Sequence, residues 1–291
     1  MKNIHPIFVF MFLVSLTLSG EDEKYTFIFG GSQRLDVGEK WIYKSTHETS
    51  FTIPGLGFIK YSGKYIYTVE FLGLEGDFWK FKSTLTDMES ENYVNGIEIL
   101  DQFREAMEGS SCYLYVKSSG LDDTVHHIEP VNKEDYYLLE AFEAAHMNIH
   151  PDHFKYPFGR GGVDVAIGDT WTSSYDSSKI YINMGSPSSM VSAKQSTTLK
   201  KVRERRGRKI AYIEVEELPM LELRIAVNFL GERRFITGHA TGIANGEYKW
   251  DLDSGDMLKS HVNINLTGDF KMAHETFHMK VFQRFTSKKM K

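Results

Sequence analysis

Residues 221–229 read Leu-Glu-Leu-Arg-Ile-Ala-Val-Asn-Phe, with an apolar side chain at every second position. Residues 79–85 read Trp-Lys-Phe-Lys-Ser-Thr-Leu and alternate in the same way. Alternation with a period of two is typical of strands that bury one face, and sheets of such strands are antiparallel. Turn sequences separate the runs, namely Pro54-Gly55, Gly76-Asp77, Asn245-Gly246 and Ser254-Gly255. The sequence therefore predicts a mainly β protein.

Two segments break the alternation and predict helices. Asn95-Gly96-Ile97-Glu98 resembles a capping box, and the stripe that follows it up to Gly109 consists of Leu100, Phe103 and Met107. The second helix is predicted from Glu134 to His150 and ends at Pro151. Its apolar face carries Leu138, Ala141, Phe142, Ala145 and Ile149.

A short motif occurs twice, at residues 37–41 and 167–171. It consists of an apolar residue, Gly, an acidic residue, any residue and Trp, and its landmarks are Gly38, Trp41, Gly168, Asp169 and Trp171. Two further matches follow in the same order and at nearly the same offset, residues 76–82 with 207–213 and 113–120 with 248–255. Three ordered matches indicate two copies of one β unit.

The predicted fold class is therefore mainly β with minor α. It consists of two pseudo-repeated curved antiparallel sheets, half-barrel or sandwich-like, with one or two helices. The predicted divisions are a signal peptide at 1–20, a first β repeat at 25–132, a helix and connecting segment at 133–162, a second β repeat at 163–286 and a basic tail at 287–291.

On these motifs the chain resembles a family of secreted or envelope bacterial proteins of unknown function, built from two β-rich copies. Each copy of that family opens with an apolar-Gly-Asp/Glu-x-Trp motif, and a helix and a Pro-containing lead-in precede the second motif. Tyr156-Pro157 and the segment from Val163 to Trp171 correspond to that lead-in. The resemblance covers residues 30–285 and implies a fold, but no activity, cofactor or catalytic residue.

The first twenty residues predict export. Lys2 precedes an apolar run from Ile7 to Leu18, and small residues then lead to the acidic stretch at 21–23. This order is typical of a cleavable secretory signal. The alternative, an N-terminal anchor, needs about 20 apolar residues. No cysteine lies near the cleavage point, so the expected location is periplasmic or secreted, without a lipid anchor.

Composition excludes several classes of function. The chain has 34 Lys and Arg against 39 Asp and Glu, a formal charge of −5 and a pI near 6.1, which argues against nucleic-acid binding. A single cysteine, Cys112, excludes an internal disulfide framework and a CxxC site. No second apolar run of membrane-spanning length is found in the mature sequence.

His274-Glu275-Thr276-Phe277-His278 matches the HExxH zinc motif, which works on a helix. The extended motif would need Gly and His where Val281 and Arg284 stand. The same segment alternates like a strand, and on a strand the two histidines lie too far apart for one zinc ion. We therefore predict a final β-strand, with a zinc-dependent hydrolase as the alternative.

A second histidine cluster consists of His146, His150 and His153 near Glu143 and Asp152. Glu143, His146 and His150 can share one helix face, a spacing that suits zinc or copper. The preferred interpretation is a polar helix face without metal, so no cofactor is predicted.

The predicted function is a non-catalytic exported envelope or secreted protein. No Gly-x-Ser-x-Gly, phosphate-binding loop or cysteine nucleophile is present, so no enzyme is predicted. One specific form is a binding or carrier protein whose partner is an apolar small molecule or lipid. The residues that can line its cavity are Tyr65, Tyr67, Phe71, Trp79, Phe81, Leu223 and Phe229, which would equally form an ordinary sandwich core. The basic stretch 200–209 predicts a solvated hairpin, with anionic lipid or glycan binding as the alternative.

Overall fold

A computed structural model describes residues 23–26, 36–53, 57–99, 108–117, 125–131, 164–176, 189–229, 232–272 and 274–290. These residues form strands and turns, and they contain no helix. The strands, in chain order, are β1 (Lys24–Thr26), β2 (Lys40–Ile53), β3 (Gly57–Glu75), β4 (Phe78–Val94), β5 (Ile97–Ile99), β6 (Ser111–Lys117), β7 (Val125–Pro130), β8 (Asp164–Ala166), β9 (Thr170–Asp176), β10 (Ser189–Arg205), β11 (Arg208–Phe229), β12 (Glu232–Asp251), β13 (Asp256–Met272) and β14 (Glu275–Lys289). Among them is no helix that is long and apolar enough to cross a membrane.

Twelve of these strands form one antiparallel sheet, in the order β7-β6-β4-β3-β2-β14-β13-β12-β11-β10-β9, with β5 paired to β4. Most neighbours in the sheet are also neighbours in the chain. One exception is the pair β4–β6, between which β5 intervenes in the chain. The other is the pair β14–β2, which runs in register from Val281 opposite Phe51 to Lys289 opposite Tyr43. A separate two-stranded sheet pairs β1 with β8.

This pairing corrects the predicted fold class. The expectation of two curved sheets is wrong, because β14 joins β2 and makes the halves of the chain one continuous sheet. The physical reason is the exposed edge: an unpaired strand leaves a row of N–H and C=O groups without partners, and pairing the last strand with β2 satisfies both edges at once.

The helix predicted from Asn95 is also wrong in the part that the structure describes. Asn95 and Gly96 both have positive φ, 52° and 81°, and they turn the chain so that Ile97 pairs with Val94. Asn-Gly is the preferred sequence for such two-residue hairpin turns, and here that preference outweighs the capping-box pattern. The Asn95 side chain also accepts a hydrogen bond from the Phe58 N–H at 2.8 Å. Residues 100–107 and the helix predicted at 134–150 lie outside the described residues.

The two Gly-acidic-x-Trp motifs make matching backbone hydrogen bonds. The Gly38 N–H donates to the Phe71 carbonyl at 2.8 Å, and the Gly168 N–H donates to the Leu199 carbonyl at 2.7 Å. The return bonds also match, from the Phe71 N–H to the Glu39 carbonyl and from the Leu199 N–H to the Asp169 carbonyl. Both tryptophans are buried, Trp41 with 4% and Trp171 with 5% of its surface exposed.

The apolar core lies on one face of the sheet. The main buried cluster joins residues from strands near both edges, such as Cys112 and Leu114 on β6 and Trp171 on β9, with Tyr67, Phe81 and Trp250. These residues share one face of the sheet, which we call the inner face. Tyr25 of β1 and Val165 of β8 belong to the same cluster.

Candidate ligand-binding site

Two separate apolar clusters line the inside of the sheet. The main cluster is packed, and several of its largest members, including Tyr67, Phe81 and Leu85, have none of their surface exposed. A second cluster lies towards the other end of the central strands and contains Ala240, Leu266, Phe270, Met272, Phe277, Met279 and Val281. The partly buried Phe51, Ile59 and Ile264 pack against it.

Between the two clusters, several inward positions of the central strands are only half-buried. The residues concerned are His47, Phe51, Ile59, Tyr61, Ile264 and Phe285, which we call the inner groove. They lie on β13, β14, β2 and β3, which are neighbours at the middle of the sheet, where inward side chains of a fully packed core are buried. The half-exposure therefore marks an open stretch of the inner face.

His47 is the polar centre of the inner groove. Its ring stacks on Phe285 with centroids 4.5 Å apart and lies tilted against Tyr61 at 5.4 Å. Its Nε2 contacts the Thr49 hydroxyl. Burial disfavours the charged imidazolium and lowers the pKa of His47 to about 4, so the ring is neutral at physiological pH.

Hydroxyl groups surround His47 on the strands beside it. The Tyr61 and Tyr65 hydroxyls contact each other, and the Ser45 hydroxyl donates to the buried Ser287 hydroxyl at 3.0 Å across the β14–β2 junction. Gly63 lies opposite His47 on β3, and a Cβ at Gly63 would meet the Tyr65 ring at 2.5 Å or less. Gly63 therefore makes room for the Tyr65 ring beside His47.

The inner groove offers binding chemistry more readily than catalysis. A general base works best when its pKa is near the working pH, and a histidine with a pKa of about 4 is a weak base. Cys112 is fully buried, and burial raises the pKa of its thiol, so the nucleophilic thiolate is disfavoured.

Most of the residues expected to line a ligand cavity belong to the packed main cluster rather than to the inner groove. Tyr65, Tyr67, Phe71 and Phe81 are 0–5% exposed and belong to the packed main cluster, against which the partly buried Trp79 packs. Leu223 and Phe229 lie on β11, and the structure does not describe their side chains. The sequence analysis did not identify His47 as a site residue. Alternation over residues 41–51 was the available signal, because it places His47 on the same inward face as the apolar Trp41, Tyr43 and Phe51.

The HExxH residues lie on or beside a strand, as the alternation predicted. Glu275–Lys289 form β14, and His274 precedes it in a turn. His274, Glu275 and His278 are all exposed, and the His278 Nδ1 lies 3.0 Å from the Asp269 carboxylate. Because His278 lies on a strand and His274 in the turn before it, the helical geometry of a zinc peptidase is not formed.

No group of three or more potential metal ligands is found among the described residues. The cluster of His146, His150 and His153 lies outside them, as does the signal sequence at 1–20.

No family model and no curated protein matches the chain. Solved structures similar to it include OmpF of Salmonella typhi in complex with daunomycin, at 8% identity, with 86% of this chain and 98% of that chain covered and a TM-score of 0.23. A mutant of the Rh. blastica porin is 8% identical, with coverages of 87% and 100% and a TM-score of 0.21. An outer membrane channel from Pseudomonas putida F1 is 6% identical, with coverages of 88% and 97% and a TM-score of 0.19. TM-scores this low do not define a shared fold.

Proposed function

We propose that this chain is an exported, non-catalytic binding protein whose inner groove takes an amphipathic ligand with an apolar tail. The observation that carries the proposal is the half-buried stretch of aromatic and aliphatic side chains at the middle of the inner face, between two packed clusters. Apolar surface left open on the inside of a sheet is stabilised when a ligand covers it.

The arrangement of the inner groove sets the orientation of the bound ligand. Phe51, Ile59 and Ile264 lie on the side of the second cluster and suit the apolar tail. The neutral imidazole of His47 and the hydroxyl groups beside it make this part of the groove polar but uncharged, which suits an uncharged polar head such as a hydroxyl, an amide or an ester. A charged head would have to lose its hydration beside the aromatic rings, which is costly.

Export and the lack of catalysis are part of the same proposal. The charged start, apolar run and small residues of the first twenty positions support a cleavable signal. The low basicity of His47 and the buried thiol of Cys112 support a binding role.

A ligand-binding assay tests the proposal. Native mass spectrometry of the folded protein should show a co-purified lipid-like mass, and the stripped protein should bind a fluorescent monoacylglycerol. The variant Ile264→Asn places an amide in the groove and should weaken binding by about tenfold, since burying an unpaired polar group costs on the order of 1–3 kcal/mol.

The matched control is Ile243→Asn, because Ile243 lies on the adjacent strand, on the outer face, with 54% of its surface exposed. This variant should bind like the wild type. Equal loss in both variants, or no binding of the probe by the stripped wild type, would contradict the proposal.

We also propose that residues 25–132 and 163–286 are two copies of one unit, related as in the family that the chain resembles. The matched hydrogen bonds of the two motifs support this, as do bulges at corresponding places, between Phe71 and Gly73 and between Leu199 and Lys201. The second and third sequence matches agree in register, because Phe81 pairs with Leu114 and the matching Tyr212 pairs with Lys249. Phe81 is buried whereas Tyr212 lies on the outer face, so each of the two matches needs a shift of one residue to bring inward positions together. Superposition of the two β hairpins tests the proposal: Trp41 and Trp171 should coincide.

A further inference from the structure

The outer face of the sheet carries a row of lysines that crosses neighbouring strands. In the strand register, Lys249 lies opposite Lys259, Lys259 opposite Lys288, and Lys288 opposite Lys44. The row continues on its other side through Tyr212 to Lys201. All the lysines of this set are exposed, and we call the set the lysine row.

The lysine row works against the stability of the sheet. Like charges directly opposite each other on neighbouring strands are destabilising, and the strands lie only about 4.8 Å apart. Within the described part of the chain, none of Lys44, Lys249, Lys259 and Lys288 forms an ion pair, whereas the adjacent Lys289 pairs with Asp256 at 2.5 Å and Lys200 pairs with Glu214 at 2.9 Å. From Lys249 to Lys44 these ammonium groups, without ion pairs, span about 14 Å, or three strand spacings, and the row extends across the uncharged Tyr212 to Lys201.

A groove of ≈ 440 Å³ lies at one end of the row. Lys200, Lys201, Lys249 and Lys259 line it, together with Tyr212, His261 and the carboxylates of Glu214 and Glu247. The Tyr212 ring holds Lys201 and Lys249 close, with their ammonium groups 4.9 and 5.2 Å from its centroid. These cation–π contacts gather the positive charge around one ring.

The lysine row has a basic neighbour on one side and acidic neighbours on the other. On β10 the exposed Arg203 lies beyond Lys201, with its guanidinium 5.7 Å from the Tyr212 ring centroid. In the next outward row, Glu214 lies opposite Glu247, and Glu247 lies opposite His261. A broad anionic surface such as a membrane would contact these carboxylates as well as the lysines, and the carboxylates would repel it. A linear chain can follow the ammonium groups from strand to strand on the side of Arg203, away from Glu214 and Glu247.

We propose that the lysine row binds a linear acidic polysaccharide, with carboxylate or sulfate groups spaced along the chain to match successive strands. Single-stranded nucleic acid fits less well, because its binding sites use open aromatic rings for base stacking and the Tyr212 ring is covered by cations. The proposal is independent of the inner groove, which lies on the opposite face of the sheet.

Binding by isothermal calorimetry, with the full chain, tests the proposal. The probes are polygalacturonate and dextran sulfate, with uncharged dextran, phosphatidylglycerol vesicles and a single-stranded DNA oligonucleotide for comparison. The double variant Lys249→Gln/Lys259→Gln removes the centre of the row. The control Lys271→Gln/Lys280→Gln removes the same charge from exposed lysines on β13 and β14 outside the row.

Wild type should bind at least one acidic polysaccharide, with affinity that falls as salt rises, and should bind dextran, vesicles and DNA at least about tenfold more weakly. The row variant should lose about tenfold in affinity, while the control should change by less than about twofold. Equal losses in the two variants, or tighter binding of vesicles or DNA, would overturn the proposal.

A stability measurement separates lost binding from lost folding. Because repulsion is relieved, the row variant should unfold at a urea concentration equal to or higher than that of the wild type. A lower midpoint would show that the lysines stabilise the sheet and would overturn the interpretation of the row as a binding feature.

Discussion

At the residue scale, His47 links the inner groove to the stability of the fold. It is held neutral by burial, stacked on Phe285 and in contact with Thr49. The folded-state pKa of about 4 lies below the ordinary value of 6.5, so protonation favours the unfolded chain. The contribution of His47 is therefore complete above about pH 6.5 and is lost progressively as the pH falls towards about 4.

The variant His47→Gln should remove this pH dependence, because an amide does not titrate in this range. The free energy of unfolding of the wild type should fall relative to that of the variant by on the order of 3 kcal/mol between about pH 7 and about pH 4. Urea unfolding at a series of pH values measures the difference. The exposed His278, which is 58% accessible in its side chain, supplies the control variant His278→Gln. A constant difference between wild type and His47→Gln across that range would contradict the buried, neutral state of His47.

The two motif tryptophans should contribute similarly to stability. Trp41 packs near Phe81, with ring centroids 6.3 Å apart, and both tryptophans belong to the main buried cluster. Replacement of either by Ala should cost about 3–5 kcal/mol of unfolding free energy. The exposed Ile42, the neighbour of Trp41, is the control, and Ile42→Ala should cost less than about 1 kcal/mol. A small effect at only one tryptophan would show that the two motifs are not equivalent.

At the scale of single elements, turn residues explain both a correct and an incorrect expectation. Gly76-Asp77 forms the two-residue turn between β3 and β4, as its sequence predicted. Asn245-Gly246 has turn composition but lies inside β12, opposite Asn263 and Val262 of β13. The reason is tertiary: Gly246 faces inward, where a Cβ would approach the Tyr248 ring at 2.8 Å. The local turn signal is thus overridden by packing against the core.

The Asn95-Gly96 turn provides a test of the corrected assignment. Gly96 has a φ of +81°, and no other atom lies within 4 Å of a Cβ placed there, so Gly96→Ala changes backbone strain without a clash. The substitution should cost about 1–2 kcal/mol, which urea unfolding measures. Gly96→Asn should cost less, since Asn tolerates the left-handed region. Stabilisation by Gly96→Ala would instead favour the helix that the sequence suggested.

At the scale of the whole molecule, the pairing of β14 with β2 makes two halves into one sheet. The buried Ser45 and Ser287 hydroxyls hydrogen-bond across this junction, although the residues are 242 positions apart in the chain. The stabilising effect of each hydroxyl depends on the other, because burying a hydroxyl without its hydrogen-bond partner lowers the free energy of unfolding.

A double-mutant cycle on this junction tests the dependence. Ser45→Ala and Ser287→Ala should each cost about 1–3 kcal/mol, and the double variant should cost clearly less than the sum. Thr170 and Thr198, an exposed hydroxyl pair at 2.8 Å on β9 and β10, give the comparison cycle, in which little coupling is expected. Additive losses for the serine pair would show that the two hydroxyls do not depend on each other.

The sequence by itself determined the strands. Alternation of apolar and polar residues, as in residues 79–85, is a local pattern that indicates a strand with one buried face. It also determined that the HExxH segment, from Glu275 onwards, is a strand. Only the tertiary structure decided that β14 pairs with β2, that His47 lies between two clusters, and that five lysines from separate strands form one row. Register across distant strands depends on long-range packing, and no local pattern in the sequence encodes which lysine faces which.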